Sequence, residues 1–172
     1  MKFVEHKGKI RFLQLDESFK QYDIVSEMDT PDLMQYVARN RWDFPMTLYF
    51  EAYGETEETL GTVLPVQQIT SQKRIINLSL KVVRKVELPA FTVQIENETA
   101  LKEALAEFFY VAEQNEFFAL TNKPCITYDG ENPIVYTQNA EILLVEYNGQ
   151  GAFLITNNFL TLSYSNKIKQ KK

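Results

Sequence analysis

The stretch RWDFPMTLYFEAYG, residues 41–54, marks the point where a helical pattern gives way to a strand pattern. It holds five aromatic residues in fourteen positions, including the only tryptophan, Trp42. The residue before a proline disfavours helix, so the Phe44–Pro45 pair closes the segment before it. From Met46 onward, apolar and polar side chains alternate with a period of two. This alternation predicts a strand with one apolar, buried face and one amphipathic face.

A helix is predicted upstream of this strand, at about residues 30–42. Thr30 is a suitable N-cap, Pro31 suits the first helical position, and Asp32 faces the positive end of the helix dipole. Before the helix, a tight hairpin is predicted at Lys7-Gly8, with one strand on each side of it.

Downstream of residue 54 the pattern is mostly that of strands. One strand is predicted at 60–69, a second at 75–87 and a short one at 91–96. The longest helix is predicted at about 98–118, because apolar residues recur there at helical spacing and Asn97 or Thr99 can cap it. Short strands then follow to residue 164, and the Asn148-Gly149 pair indicates a hairpin between two of them.

Short turns join most of these strands, which favours an antiparallel arrangement over a doubly wound fold. The predicted class is therefore α+β, with mainly antiparallel sheet covered by two helices, at about 30–42 and 98–118. Residues 1–164 are predicted to form a single domain, with a two-lobed division near Pro89 left open. Residues 165–172, SNKIKQKK, are predicted to be a basic disordered tail.

Charge and composition limit the classes of protein to which this chain could belong. The 172 residues carry a formal net charge of −5, which argues against a dedicated nucleic-acid binder. Without the four lysines of the tail, 14 basic residues stand against 23 acidic ones. A single cysteine, Cys125, fits a reducing compartment, and no apolar run is long enough for a membrane helix. The expectation is a cytoplasmic protein without a membrane span.

The sequence contains few residues suited to catalysis. His6 and Cys125 are the only His and Cys, too few for a His/Cys zinc site, and a nucleophile would need a base and an orienting group beside it. The glycines form no phosphate-binding loop. No catalytic residue, metal or cofactor is predicted, which favours a protein that is not an enzyme, although paired carboxylates cannot be assessed from spacing alone.

The first functional hypothesis is a non-catalytic interaction module with an acidic body that binds another, basic protein. An immunity protein, a chaperone, or a phage or mobile-element accessory factor would fit this description. Acidic residues would steer the partner and tyrosines would anchor it. The predicted partner-binding residues lie together in the sequence: Tyr49, Glu51, Tyr53, Glu55, Glu57 and Glu58.

The alternative hypothesis is a small-ligand-binding protein or an enzyme. Phe108, Phe109, Phe117 and Phe118 give the region around helix 98–118 a high phenylalanine content. These side chains could line an apolar pocket between that helix and the sheet, or they could simply fill the core.

Overall fold

The computed structural model describes residues 1–8, 10, 13–78, 82–114, 116–129 and 132–158. The predicted α+β class with mainly antiparallel sheet is confirmed. The helices are α1 (Thr30–Arg41), α2 (Glu57–Leu60), α3 (Glu98–Phe108) and α4 (Tyr110–Glu113). The strands are β1 (Lys2–Glu5), β2 (Lys20–Val25), β3 (Met46–Glu51), β4 (Val66–Leu78), β5 (Val82–Ile95), β6 (Phe118–Thr121), β7 (Ile126–Asp129), β8 (Asn132–Val135), β9 (Glu141–Val145) and β10 (Ala152–Thr156).

Eight of these strands form one sheet in the order β1-β2-β10-β9-β6-β3-β5-β4. Every neighbouring pair in it is antiparallel. Strands β7 and β8 form a separate two-stranded hairpin, and β8 also makes an isolated parallel bridge to Gln14 through Ile134. The order places β3 inside the sheet, between β5 and β6.

Helices α1 and α3 cover one face of the sheet. Their buried side chains join those of the strands in one apolar cluster, in which Phe50 of β3 stacks on Phe91 and on Phe108 at ring-centroid distances of 5.6 and 5.0 Å. Asp29 caps α1 by accepting a hydrogen bond from the Asp32 backbone N–H at 3.1 Å. The predicted cap, Thr30, is wrong by one residue, because its hydroxyl accepts from the Gly151 backbone N–H at 2.7 Å instead.

A second apolar cluster lies on the opposite face of the sheet. Leu13 and Phe19, from the segment before β2, pack there with Cys125 and Ile126 against the sheet. The prediction of a half-buried β3 is therefore wrong: all six residues of β3 are buried, because both faces of the sheet are covered at this strand.

The predicted helix at 98–118 is shorter than expected. Asn97 caps it as predicted, accepting from the Ala100 backbone N–H at 3.0 Å. Helix α3 ends at Phe108, the short α4 ends at Glu113, and Phe118 already belongs to strand β6. The apolar residues of β6 continue the apolar character of the helix, so the sequence pattern alone does not mark the change.

The single strand predicted at 75–87 is wrong, since this region is a hairpin in which Leu78 pairs with Val82. Alternation with a period of two continues through an antiparallel turn, so it does not reveal where the chain reverses. The strand β1 pairs with β2. The second strand of the predicted Lys7-Gly8 hairpin, at 9–15, lies partly outside the described residues, and Ile10 within it is not in a strand. Pro89 lies within β5, where its carbonyl accepts from the Ala52 backbone N–H at 3.1 Å.

The Asn148-Gly149 hairpin is confirmed. Both residues have positive φ, 65° and 70°, and they connect β9 to β10. The predicted final strand at 159–164 and the predicted tail at 165–172 lie outside the described residues.

Candidate functional site

The structure separates the six residues predicted to bind a partner into two groups. Tyr49 and Glu51 lie on β3 and are 4% and 0% exposed, so neither side chain is on the surface. Tyr53 is 60% exposed, and Glu57 and Glu58 are also exposed. The expectation that Tyr49 and Glu51 face a partner is thus corrected, because the second apolar cluster covers their face of the sheet.

Tyr49 has a structural role instead. Its hydroxyl oxygen accepts a hydrogen bond from the Cys125 backbone N–H at 3.3 Å, which fixes the segment before β7 to the sheet. Burial raises the pKa of Tyr49 to about 12, since the phenolate would be poorly solvated there. A phenol held in this way does not ionise near neutral pH.

The other four residues lie in and around α2, where short-range hydrogen bonds hold the chain. Thr56 caps α2 and forms a reciprocal capping box with Thr59. The Thr59 hydroxyl donates to a Glu55 carboxylate oxygen at 2.7 Å. The Gln68 backbone N–H donates to the Glu57 carboxylate, which ties α2 to β4.

Two residues from the α3–α4 region join this group. Tyr110 is 37% exposed, and its pKa is raised by burial, then by the charge of Glu55 and a hydrogen bond to it, and then by the charge of Glu107. Both carboxylates therefore lie close to the Tyr110 phenol. We refer to Tyr53, Glu55, Glu57, Glu58, Glu107 and Tyr110 as the acidic surface.

Sequence reasoning missed Tyr110 and Glu107 as members of this surface. They lie more than 50 positions beyond Glu55 in the sequence, and only the folded chain brings them near it. The spacing of residues along the sequence does not reveal a surface that combines α2 with the α3–α4 region. The exposed acidic residues of the predicted helix were the only available signal.

A buried polar cluster explains the tryptophan of the opening stretch. The Trp42 ring N–H donates to Glu141 at 2.6 Å, and the Arg41 guanidinium donates to the same carboxylate at 2.9 and 3.3 Å. The Arg41 and Glu141 side chains are only 8% and 4% exposed. Trp42 is thus a core residue that joins α1 to β9, and it is not part of a binding surface.

The two residues weighed for nucleophilic chemistry have other contacts. Cys125 is fully buried, and burial raises the pKa of its thiol to about 12, so the reactive thiolate is disfavoured. The His6 Nδ1 lies 3.0 Å from the Asp23 carboxylate, and the His6 ring meets Phe153 edge-on at a centroid distance of 4.8 Å. No hydrogen bond joins His6 to Cys125 in the described chain.

The four phenylalanines considered for an apolar pocket are core residues. Phe108 stacks on Phe50 and Phe109 meets Phe118 edge-on at 5.5 Å, both on the helix-covered face. Phe117 belongs to the cluster on the opposite face. All four side chains are buried in these apolar clusters.

The described residues contain no group of three or more His, Cys, Asp or Glu side chains placed to hold a metal ion. No helix in the described ranges is long and apolar enough to cross a membrane. Comparison of the chain with protein-family models, with curated proteins and with solved structures finds no match.

Proposed function

We propose that this chain is a non-catalytic interaction module that binds a basic protein through the acidic surface. The observation that supports this best is the pairing of exposed aromatic and acidic groups. Tyr53 and Tyr110 are both exposed. The Glu55 carboxylate, which follows Tyr53 closely in the sequence, forms a hydrogen bond with the Tyr110 phenol. Tyrosine supplies a large contact area with few rotatable bonds, which suits it to anchor a partner.

The charge of the molecule favours the same kind of partner. The acidic surface carries four glutamates, and the whole chain has a net charge of −5. A field of this sign accelerates the encounter with a basic protein and disfavours acidic competitors. An immunity protein, a chaperone or a mobile-element accessory factor acting in the cytoplasm would use this chemistry against a basic target.

Charge reversal tests the proposal. The full chain is used to capture its partner from a lysate of the source organism, and the association rate is then measured with the purified partner. In one variant Glu55, Glu57 and Glu58 become lysine. Because Glu55 and Glu57 also accept hydrogen bonds within the chain, a second variant, E58K/E107K, changes only the two remaining glutamates of the surface.

The matched control is E17K/E27K, which changes the net charge equally at two exposed residues outside the acidic surface. We expect E58K/E107K to slow association by about tenfold and the control to slow it by much less, since charges at the rim of an interface act mainly on the association rate. An acidic partner, or equal rates for E58K/E107K and the control, would contradict the proposal.

A further inference from the structure

A groove lies on the sheet face opposite to the helices α1 and α3. Its floor is formed by residues of β3, β5 and β4, and one wall is formed by the segment from Pro124 through the β7–β8 hairpin to Tyr136. The groove has a volume of about 680 Å³, within the range of 300–1,000 Å³ that is common for small-molecule sites. It exists because the layer that covers β3 leaves Gln94 of β5 and Gln67 of β4 exposed.

The groove contains a buried hydroxyl group that the protein does not satisfy. Thr47 is 4% exposed, and its side-chain oxygen has no hydrogen-bond partner among the described residues. Leaving a buried hydroxyl unpaired is unfavourable, so a water molecule or a ligand is expected to complete its hydrogen bonding. Thr47 pairs with Gln94 across β3 and β5, and both residues line the groove.

The lining residues that the structure describes are uncharged. They consist of threonine, glutamine and tyrosine side chains with two isoleucines and one proline, and none of them is Asp, Glu, Lys, Arg or His. Amides and hydroxyls both donate and accept hydrogen bonds, and tyrosine rings offer flat apolar faces. This combination suits a ligand that has many neutral hydroxyl groups and an apolar face, which describes a saccharide.

Other ligand classes fit less well. A phosphate-bearing ligand would need cationic side chains, and none of the lining residues that the structure describes is cationic. A peptide that adds as a strand would need free backbone groups at a sheet edge. β4 is the edge strand of the sheet, but the lining residues of the floor are spaced two apart on each strand and therefore belong to one face of the sheet, not to its edge.

We propose that this groove binds an uncharged saccharide, with the Thr47 hydroxyl and the Gln94 amide as polar contacts and the Tyr136 ring as a stacking surface. The inference is independent of the proposed protein partner, since the residues of the groove and of the acidic surface do not overlap.

An array of uncharged and charged saccharides, probed with the full chain, tests the proposal, and titration calorimetry follows with the saccharides that bind. We expect binding to uncharged saccharides, weakened about tenfold in Tyr136→Ala, because one lost contact of this size changes affinity by that factor. The matched control is Tyr53→Ala, since Tyr53 and Tyr136 are 60% and 58% exposed and only Tyr136 lines the groove.

The Thr47→Val variant gives a second test, because its effects on stability and on saccharide binding should have opposite signs. Removing an unpaired buried hydroxyl should raise the denaturation midpoint of the free protein, while binding of the saccharide becomes weaker. The proposal would be overturned if only charged saccharides bind, if none bind, or if affinity is the same in wild type, Tyr136→Ala and Thr47→Val.

Discussion

Arg41 and Glu141 show how a single buried carboxylate can connect two distant parts of the chain. The pair joins the end of α1 to the start of β9, and the Trp42 ring N–H and the Thr156 hydroxyl also donate to the Glu141 carboxylate. Removing one partner from a buried ion pair leaves an uncompensated charge in a poorly solvating environment. The pair therefore affects stability mainly through the loss of stability when one of its two residues is replaced.

We predict that Glu141→Gln lowers the free energy of unfolding by about 3–5 kcal/mol, because the Arg41 charge loses its buried counter-ion. Arg39→Ala is the matched control, since Arg39 lies on the same helix and pairs with Glu98 at 2.9 Å with both side chains about half exposed. That control should cost about 0–1 kcal/mol. Urea denaturation of both variants measures the difference, and equal losses would contradict the prediction.

The buried Tyr49 phenol and Cys125 thiol predict a loss of stability at alkaline pH. Both have pKa values raised to about 12 by burial. The folded state therefore keeps protons that the unfolded chain releases, so the free energy of unfolding falls as pH rises from about 9 toward 12. Below that range this contribution is fully present.

Urea denaturation at a series of pH values measures the slope of this loss. Tyr49→Phe removes one titrating group, so its free energy of unfolding should fall less steeply above about pH 10 than that of the wild type. The lost hydrogen bond to Cys125 shifts the curve at every pH and does not alter this comparison. Identical slopes for the two proteins would show that the Tyr49 phenol does not contribute.

At the scale of elements, the turn of the β9–β10 hairpin also packs against the end of α4. Gly149 has φ of +70°, and a Cβ atom there would lie 3.1 Å from the Glu113 side chain at the end of α4. Gly54 has a similar φ of +77°, and a Cβ atom there would meet nothing within 4 Å. Replacing either glycine therefore introduces backbone strain, but only replacing Gly149 also introduces a close contact.

We predict that Gly54→Ala costs about 1–2 kcal/mol, the usual cost of the left-handed conformation for a residue with a Cβ atom. Gly149→Ala should cost more, because the contact with α4 is added to the same strain. Thermal denaturation compares the two variants. If Gly149→Ala is no more destabilising than Gly54→Ala, the turn does not pack tightly on α4.

At the scale of the whole molecule, the proposed partner binding should depend strongly on salt. Electrostatic steering acts over the Debye length, which shortens from about 30 Å at 0.01 M salt to about 8 Å at 0.15 M. The association rate of the wild type with its captured partner should therefore fall steeply over this range. The E58K/E107K variant should show a weaker dependence, and parallel curves for both proteins would argue against steering by the acidic surface.

The sequence by itself determined the α+β class, the start of α1 to within one residue, Asn97 as one of two candidate caps of α3, and the Asn148-Gly149 turn. These features are local, because caps, turn residues and periodicity act over a few neighbouring positions. The same local rules did not detect the reversal between β4 and β5 or the end of the second helical region, since the apolar pattern is continuous at both places.

Only the tertiary structure decided which side chains reach the surface. Alternation predicted one exposed face for β3, but a second layer covers that face and buries Tyr49 and Glu51. Long-range contacts also decided that Trp42 meets Glu141 and that Tyr110 lies beside Glu55. Burial depends on what packs against a strand from distant parts of the chain, and a local sequence pattern carries no record of those partners.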